Sequence, residues 1–340
     1  MACLNPESSY VNNSWPGGPP ILRQVSAEGP QAGEIAALRE GAALVDRSYM
    51  GRLAISGPQA REALGALATN DVESLEPGTG CFAACCTAKG RMLGEIRVLF
   101  TGEELALDME RVSLQPVFDL IRHGLVGYDA ELHKRTLQTA QLSLLGPQSR
   151  EIAGAGKLGK AECDNTGTEV EGVEVLLAAT DLGVDLFCEE AGADRLREAL
   201  VARGAVPAGM ELAELARVES GRPRYGVDLD ETVIPEEAGL NDRLVSFEKG
   251  CYVGQETIAR LHYRGRPNRR LCLLALPEGT RAGEPLSLDG RAVGELTSVA
   301  DSPGRGTLGL ALVRREAPDG ARVDVGERGS EAEILGPVGS

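Results

Sequence analysis

At 340 residues the chain is too long for one small core and calls for two or three domains. Apolar residues at 42% and charged residues at 25% are the proportions of a soluble globular protein, and no window supplies the roughly 20 apolar residues of a membrane helix. A formal net charge of −16 excludes general binding to nucleic-acid phosphates, although a local basic patch could still hold an anion.

Residues 1–20 read as a polar tail ending in a Pro/Gly turn, without the basic and apolar regions of a secretory signal. A first α/β module over 21–135 begins with a helix, "GEIAALREGAALVD", and a strand, "GRLAISG". It continues through a helix, "QAREALGALAT", two strands, "EIRVLF" and "ELALDM", and a helix at "LQPVFDLIRHG". A second module over 136–262 runs strand ("AQLSLLG"), helix ("SREIAGAG"), strands ("VEVLLAATD", "VDLFCE") and helices ("ADRLREALVARG", "ELAELARVESG"). From 263 to 340, short apolar stretches alternate with Gly, Pro and Asp turns, which predicts a small β-barrel or sandwich. The stretch "RLHYRGRPNRR" reads as the linker into it. The strand order favours α+β over a doubly wound sheet.

One internal echo relates the two modules. "LAISGPQAREAL" and "LSLLGPQSREIA" each carry an apolar strand into Gly-Pro-Gln and then a helix opening with Arg-Glu. Gly-Pro stops a strand and proline suits the start of a helix.

The eight cysteines include no CxxC pair, which fits a reducing cytoplasm and free thiols. Cys81, Cys85 and Cys86 in "CFAACC" read as small buried hydrophobes, since adjacent cysteines suit a tetrahedral metal site poorly. The three histidines, His123, His133 and His262, form no metal spacing, and no metal is expected.

Cys251 is different. It lies in "FEKGCYVGQETIARLHYRGRP", between Gly250 and Gly254, beside Lys249 and Tyr252, with Gln255 and Glu256 following. "GQETIARLHY" predicts a helix, so Cys251 sits just upstream of a helix N-terminus, where the dipole and Lys249 favour a thiolate and Glu248 and Glu256 oppose it. The two glycines permit a tight turn or a close backbone approach. From the residues alone, a reactive thiol and a plain loop cysteine are both open.

The run "KGCYVGQE" resembles the signature of the YgfZ family, folate-binding proteins of iron–sulfur cluster assembly and repair. The resemblance extends from about Glu34 to the C-terminus. "EIAALREGAALVDRSYMGRLAISGPQAREAL", "LATNDVESLEPGTG" and "RVESGRPRYGVDLDETVIPEEAGL" are similar to the aminomethyltransferase (T-protein) of the glycine cleavage system, whose superfamily includes YgfZ. It implies three domains in a cloverleaf around a tetrahydrofolate pocket, the last a β-barrel. It also places the folate contacts at Met50, Phe82, Asp185 and Arg217. Without it, Asp185 reads as a solvent-facing strand residue and Arg217 as a surface helix charge.

Against the transferase pattern, the carboxylate pair after the "ASGG"-type turn becomes "GE" in "AKGRMLGEIRVL". Gly94 takes the place of the catalytic aspartate and only Glu95 keeps a carboxylate. Glycine cannot orient an amine or stabilise charge, so ordinary aminomethyl transfer is not expected. The leading expectation is a monomeric, cytoplasmic, tetrahydrofolate-binding accessory protein. Its partners would be iron–sulfur enzymes, with tRNA-modifying radical enzymes among them and no direct contact with nucleic acid or membrane. Cys251 would be its functional thiol. The alternatives are a folate-dependent one-carbon transferase using Glu95, and a cluster carrier using Cys251 across a dimer. The arginines of "RLHYRGRPNRR" could hold a folate tail or a partner's acidic face.

Overall fold

The computed structural model describes residues 29–326 and 329–338, so the tail expected at 1–20 lies outside the described residues. A five-stranded antiparallel sheet has the order Thr79–Cys86, Met92–Phe100, Glu104–Met109, Gly51–Ser56, Glu131–Lys134. A six-stranded sheet has the order Val206–Ala208, Ala43–Asp46, Thr139–Leu145, Gly183–Glu189, Val173–Ala179, Asn165–Val170, with its one parallel pair at Val206–Ala208 and Ala43–Asp46. Six strands between Arg269 and Pro337 close the C-terminal barrel, which removes its sheet edges. The α+β reading with a terminal barrel therefore holds. Among the described residues no helix is long and apolar enough to cross a membrane.

The echo is structural. Gly57 at φ +107° and Gly146 at φ +121° each turn a strand toward a short helix, Ala60–Gly65 and Ser149–Ile152. At Gly146 an added Cβ would meet the Gly41 carbonyl at 2.6 Å, so the turn is held by backbone approach.

Several elements differ from their sequence reading. The helix in "GEIAALREGAALVD" covers only Ala32–Glu40, and Ala43–Asp46 is a strand. Leu44 of that strand packs in the core of the six-stranded sheet, so the chain crosses from one module to the other there. "SREIAGAG" forms a single helical turn, because Gly154 takes φ +69°. "RLHYRGRPNRR" is a linker only at 265–268; Arg264 ends a helix and Arg269 begins a barrel strand. The barrel's last strand, Ser330–Pro337, pairs with Arg269–Leu276 and closes it.

Candidate functional site

The helix expected after Cys251 runs Gln255–Arg264, with Gly254 as N-cap at φ +87°. Upstream, Lys249 is half-buried and donates from Nζ to the carbonyls of Gly65 (2.5 Å), Ala68 (2.9 Å) and Asn70 (3.0 Å). These carbonyls lie at and just beyond the end of helix Ala60–Gly65, where carbonyls lack intrahelical donors. The ammonium thus holds the loop against the first module; burial pulls its pKa below the ordinary value.

Tyr252 is 7% exposed and packs with Ala84, Cys86 and Met92. Burial pushes its phenol up to about 12, with Cys86 and Tyr263 adding to the effect. Between these two anchors Cys251 is exposed. Gly254 packs on Gly90 of the "AKGR" turn, so the two motifs singled out from sequence meet backbone to backbone. Gly250 is unlike Gly254: an added Cβ would meet nothing within 4 Å, and no close approach requires glycine there. Glu256 is exposed and pairs with Arg260 along the helix, and Gln255 donates its backbone N–H to the Tyr252 carbonyl at 3.3 Å.

A second cluster joins the two sheets. Strand Met92–Phe100 alternates, so Gly94, Ile96 and Val98 face the first module's core while Glu95 and Arg97 face the opposite side. Arg97, 4% exposed, donates to Asp108 (Nε, 2.7 Å; Nη2, 3.0 Å) and to Asp185 (Nη2, 2.7 Å). Asp185 also accepts from Ser143 Oγ at 2.5 Å and Gln141 Nε2 at 3.2 Å. Burial opposes its charge, but Arg97 and Arg47 outweigh burial and hold its carboxyl below the usual range.

Arg217, read as a surface charge apart from the resemblance, is enclosed. It donates to Glu214 (Nε, 2.9 Å; Nη2, 2.6 Å), Asp228 (Nη1, 2.8 Å), the Arg222 carbonyl (Nη1, 3.2 Å) and Ser298 Oγ of the barrel (Nη2, 2.7 Å). A guanidinium has five N–H donors, and all are committed. Asp185 is likewise buried at 4% exposure rather than solvent-facing. Met50 is buried, with its Sδ 4.0 Å from Arg47 Nη2. Phe82 lies under the Arg243 guanidinium, 3.7 Å from the ring centroid.

The under-satisfied groups stand beside these residues, and sequence reasoning missed most of them. Glu95 has Arg243 Nε at 3.9 Å and accepts no hydrogen bond among the described residues. Burial pushes its carboxyl up to about 7, with Arg222 pulling it down and Glu162 and Glu110 raising it. Burial also raises Glu110, against Arg47 and Arg224. Tyr49 Oη and Arg47 Nε are buried and make no hydrogen bond within ordinary geometry among the described residues, although the Arg47 guanidinium and the Tyr49 phenol are electrostatic neighbours. Two carboxylates short of donors fit a heterocycle edge that carries amino and ring N–H groups, as a pterin does. A cleft of about 350 Å³ lies elsewhere, lined in part by Arg39, Gly146, Thr180, Asp181 and Glu219, and by none of Met50, Phe82, Asp185 or Arg217.

Cys85 and Cys86 are buried in two different cores, on opposite faces of one strand, and cannot share a ligand.

The sequence profile of the GCVT N-terminal domain matches residues 9–249, and that of the glycine cleavage T-protein C-terminal barrel domain matches 269–337. The aminomethyltransferase of Rubrobacter xylanophilus is 31% identical over 311 residues, covering 88% of this chain and 83% of that protein. The aminomethyltransferase of Streptomyces avermitilis is 33% identical over 326 residues, covering 89% and 87%. The crystal structure of the glycine cleavage system aminomethyltransferase T from Bartonella henselae has the same fold, with a TM-score of 0.80 at 20% identity over 89% of this chain and 88% of that one. The chain belongs to the glycine cleavage T-protein family, of which it carries both the N-terminal domain and the C-terminal barrel.

Proposed function

We propose that the chain is a tetrahydrofolate-binding protein of the T-protein fold that works through the Cys251 thiol. Its role is that of a cytoplasmic accessory factor in the assembly or repair of iron–sulfur enzymes, with tRNA-modifying radical enzymes among its clients. One observation carries this reading: Cys251 is exposed between two anchored neighbours, Lys249 and Tyr252. A cysteine that serves packing is buried among apolar groups, as Cys85, Cys86 and Cys272 are. The loop instead commits an ammonium and a tyrosine ring to presenting a thiol. The "KGCYVGQE" resemblance to the YgfZ signature supplies the client class.

Bound tetrahydrofolate would supply a carrier for one-carbon units. Glu95 and Glu110 would accept from the donor edge of its pterin, and the Tyr49 hydroxyl, which has Arg47 beside it, would gain a further partner. Arg97 would keep Asp185 ionised and the two sheets in register. Asp185 and Arg217, with their donors and acceptors committed inside the protein, would support the pocket rather than reach into it.

The test is a deletion strain complemented with wild type or Cys251→Ser, read as growth and iron–sulfur enzyme activity. Failure of a well-folded Cys251→Ser protein to restore activity supports the thiol. Full complementation sinks it. Calorimetry with reduced folates tests the pocket independently, and no binding at millimolar ligand would remove folate.

One observation favours a second reading, a folate-dependent one-carbon transferase. Gly94 faces Ser113 and Val117 in the core, so the residue this strand offers to the site is Glu95, whose carboxyl burial pushes up to about 7. An acid of that strength is suited to proton transfer near neutrality. Turnover of aminomethylated lipoyl carrier protein, abolished in Glu95→Gln, would establish this reading.

A further inference from the structure

The run "LATND", Leu67–Asp71, leaves the helix Ala60–Gly65 and meets three other parts of the chain. Thr69 is fully buried. It exchanges backbone and hydroxyl bonds with Ala84 of strand Thr79–Cys86, and its hydroxyl donates to the Leu244 carbonyl. Asn70 donates from Nδ2 to the Phe82 carbonyl at 2.8 Å and to the Arg243 carbonyl at 3.1 Å, while its Oδ1 accepts from the Asp71 N–H at 2.9 Å. Two carbonyls on one side and an N–H on the other leave a single orientation for the amide, with both its hydrogens committed. The carbonyls of Ala68 and Asn70 accept from Lys249. The run Ala68–Asn70 is therefore hydrogen-bonded both to the loop of Cys251 and to the backbones of Phe82 and Arg243.

Phe82 and Arg243 form one wall beside Glu95. The Arg243 guanidinium lies over the Phe82 ring, its Nη1 donates to Glu162 at 2.9 Å, and its Nε stands 3.9 Å from the Glu95 carboxylate. Stacking on a ring orients the guanidinium only while the two backbones keep their spacing. Asn70 sets that spacing, because one side chain bridges strand Thr79–Cys86 to the helical turn Asn241–Leu244. Glu95 is also faced by Arg222, from the turn after helix Met210–Glu219, and by Glu162, from the segment before strand Asn165–Val170. Asp108 and Glu110 face it from strand Glu104–Met109 and the residue after it.

We propose that Asn70 is a positioning residue that ties the Cys251 loop to the Phe82–Arg243 wall beside Glu95, so that a ligand on that wall and order in the loop stabilise each other. A ligand that fixes the wall restricts the run Ala68–Asn70 through the two amide bonds. That run carries two of the carbonyls on which Lys249 is seated, so the loop has less freedom left to lose. By linkage the effect is reciprocal. The tie itself stands on the hydrogen bonds alone. Its use, by a folate in the pocket and a thiol in the loop, rests on the function proposed for both.

The experiment uses the full chain and two readouts. The first is trypsin cleavage after Lys249, identified by mass spectrometry. With its ammonium seated on carbonyls, Lys249 is cut only when the loop opens, so the rate follows the open population. The second is the protonation midpoint of Glu95, taken from stability against pH in each chain and in its Glu95→Gln version. Asn70→Ala speeds the cleavage at least about fivefold. It also raises the midpoint by at least about half a pH unit, because a cation beside the carboxylate is released. Asn70→Ser, which can still accept from the Asp71 N–H but cannot reach both carbonyls, does the same. Asn165→Ala is the control: its buried amide donates to the carbonyls of Thr79 and Cys163, away from the loop and the wall, and neither readout moves. Added tetrahydrofolate slows the cleavage in wild type and not in Asn70→Ala. If calorimetry finds no folate binding, the folate reading fails and the two ligand-free readouts still decide the tie. Wild-type behaviour of Asn70→Ala or Asn70→Ser, movement of one readout without the other, or equal movement in Asn165→Ala overturns the proposal. So does folate that binds and leaves the cleavage unchanged.

Discussion

Gly254 and Gly90 are in backbone contact: a Cβ on Gly254 would stand 3.0 Å from the Gly90 Cα and 2.6 Å from the Thr87 carbonyl oxygen. Gly254 also sits at φ +87°, where a side chain is strained. The contact joins the loop of Cys251 to the turn that leads into the strand of Glu95.

Gly254→Ala is therefore expected to cost about 2–4 kcal/mol, combining left-handed strain with a clash against backbone. Gly250→Ala, facing open space, should stay within about 0.5 kcal/mol of wild type. Urea denaturation of the two variants measures the contrast. Similar costs would mean that the glycines serve the loop equally and that the packing on Gly90 is unimportant.

Lys249→Met keeps the bulk of the side chain and deletes the ammonium. The carbonyls of Gly65, Ala68 and Asn70 then lose a shared donor. A loss of about 2–3 kcal/mol is expected, since bonds to a charged donor are stronger than neutral ones. Cys251 should also become mobile, seen as faster alkylation. A variant as stable as wild type with unchanged alkylation would show that Lys249 is not an anchor.

Glu95 links stability to pH. Its proton is held more tightly in the folded chain, up to about 7, than in the unfolded one, because burial disfavours the charge. Between the ordinary carboxylate range and pH 7 the folded state binds more protons, so this contribution is complete below that range and is lost as pH rises through 7. Glu95→Gln should remove the slope, gaining about 1–3 kcal/mol on wild type between pH 4.5 and pH 8. Parallel stability curves for the two proteins would contradict this.

Gly94→Asp would supply, in sequence but not in space, the carboxylate pair that the resemblance to the transferases implies. The new Cβ would lie 2.5 Å from Ser113 Cβ and 3.1 Å from Val117 Cγ2, and the carboxylate would enter the first module's core. A loss of at least about 3 kcal/mol and no gain in aminomethyl transfer are expected. A stable variant with new turnover would place residue 94 on the site face and overturn the assignment of that face to Glu95.

Local patterning determined much of this protein. The repeated Gly-Pro-Gln turns, the alternating strand Met92–Phe100, the helix after Cys251 and the Gly-punctuated barrel strands each depend on neighbours a few residues away, so their period or turn chemistry is visible in the string. The exposure of Cys251 was legible for the same reason: a cysteine amid Gly, Lys and Glu is out of place in a core. Only the tertiary structure decided what depends on partners distant in sequence. Arg97 reaches Asp185 across 88 positions, and Lys249 reaches Gly65 across 184. Strand Ala43–Asp46 joins a sheet whose other members begin at Thr139. A residue's period says which face of its strand it occupies, but not which face becomes the core and which the site. For Gly94 and Glu95 that was settled by the helix Leu114–Gly124, which packs Val117 over one side of the strand and leaves the other to Glu95.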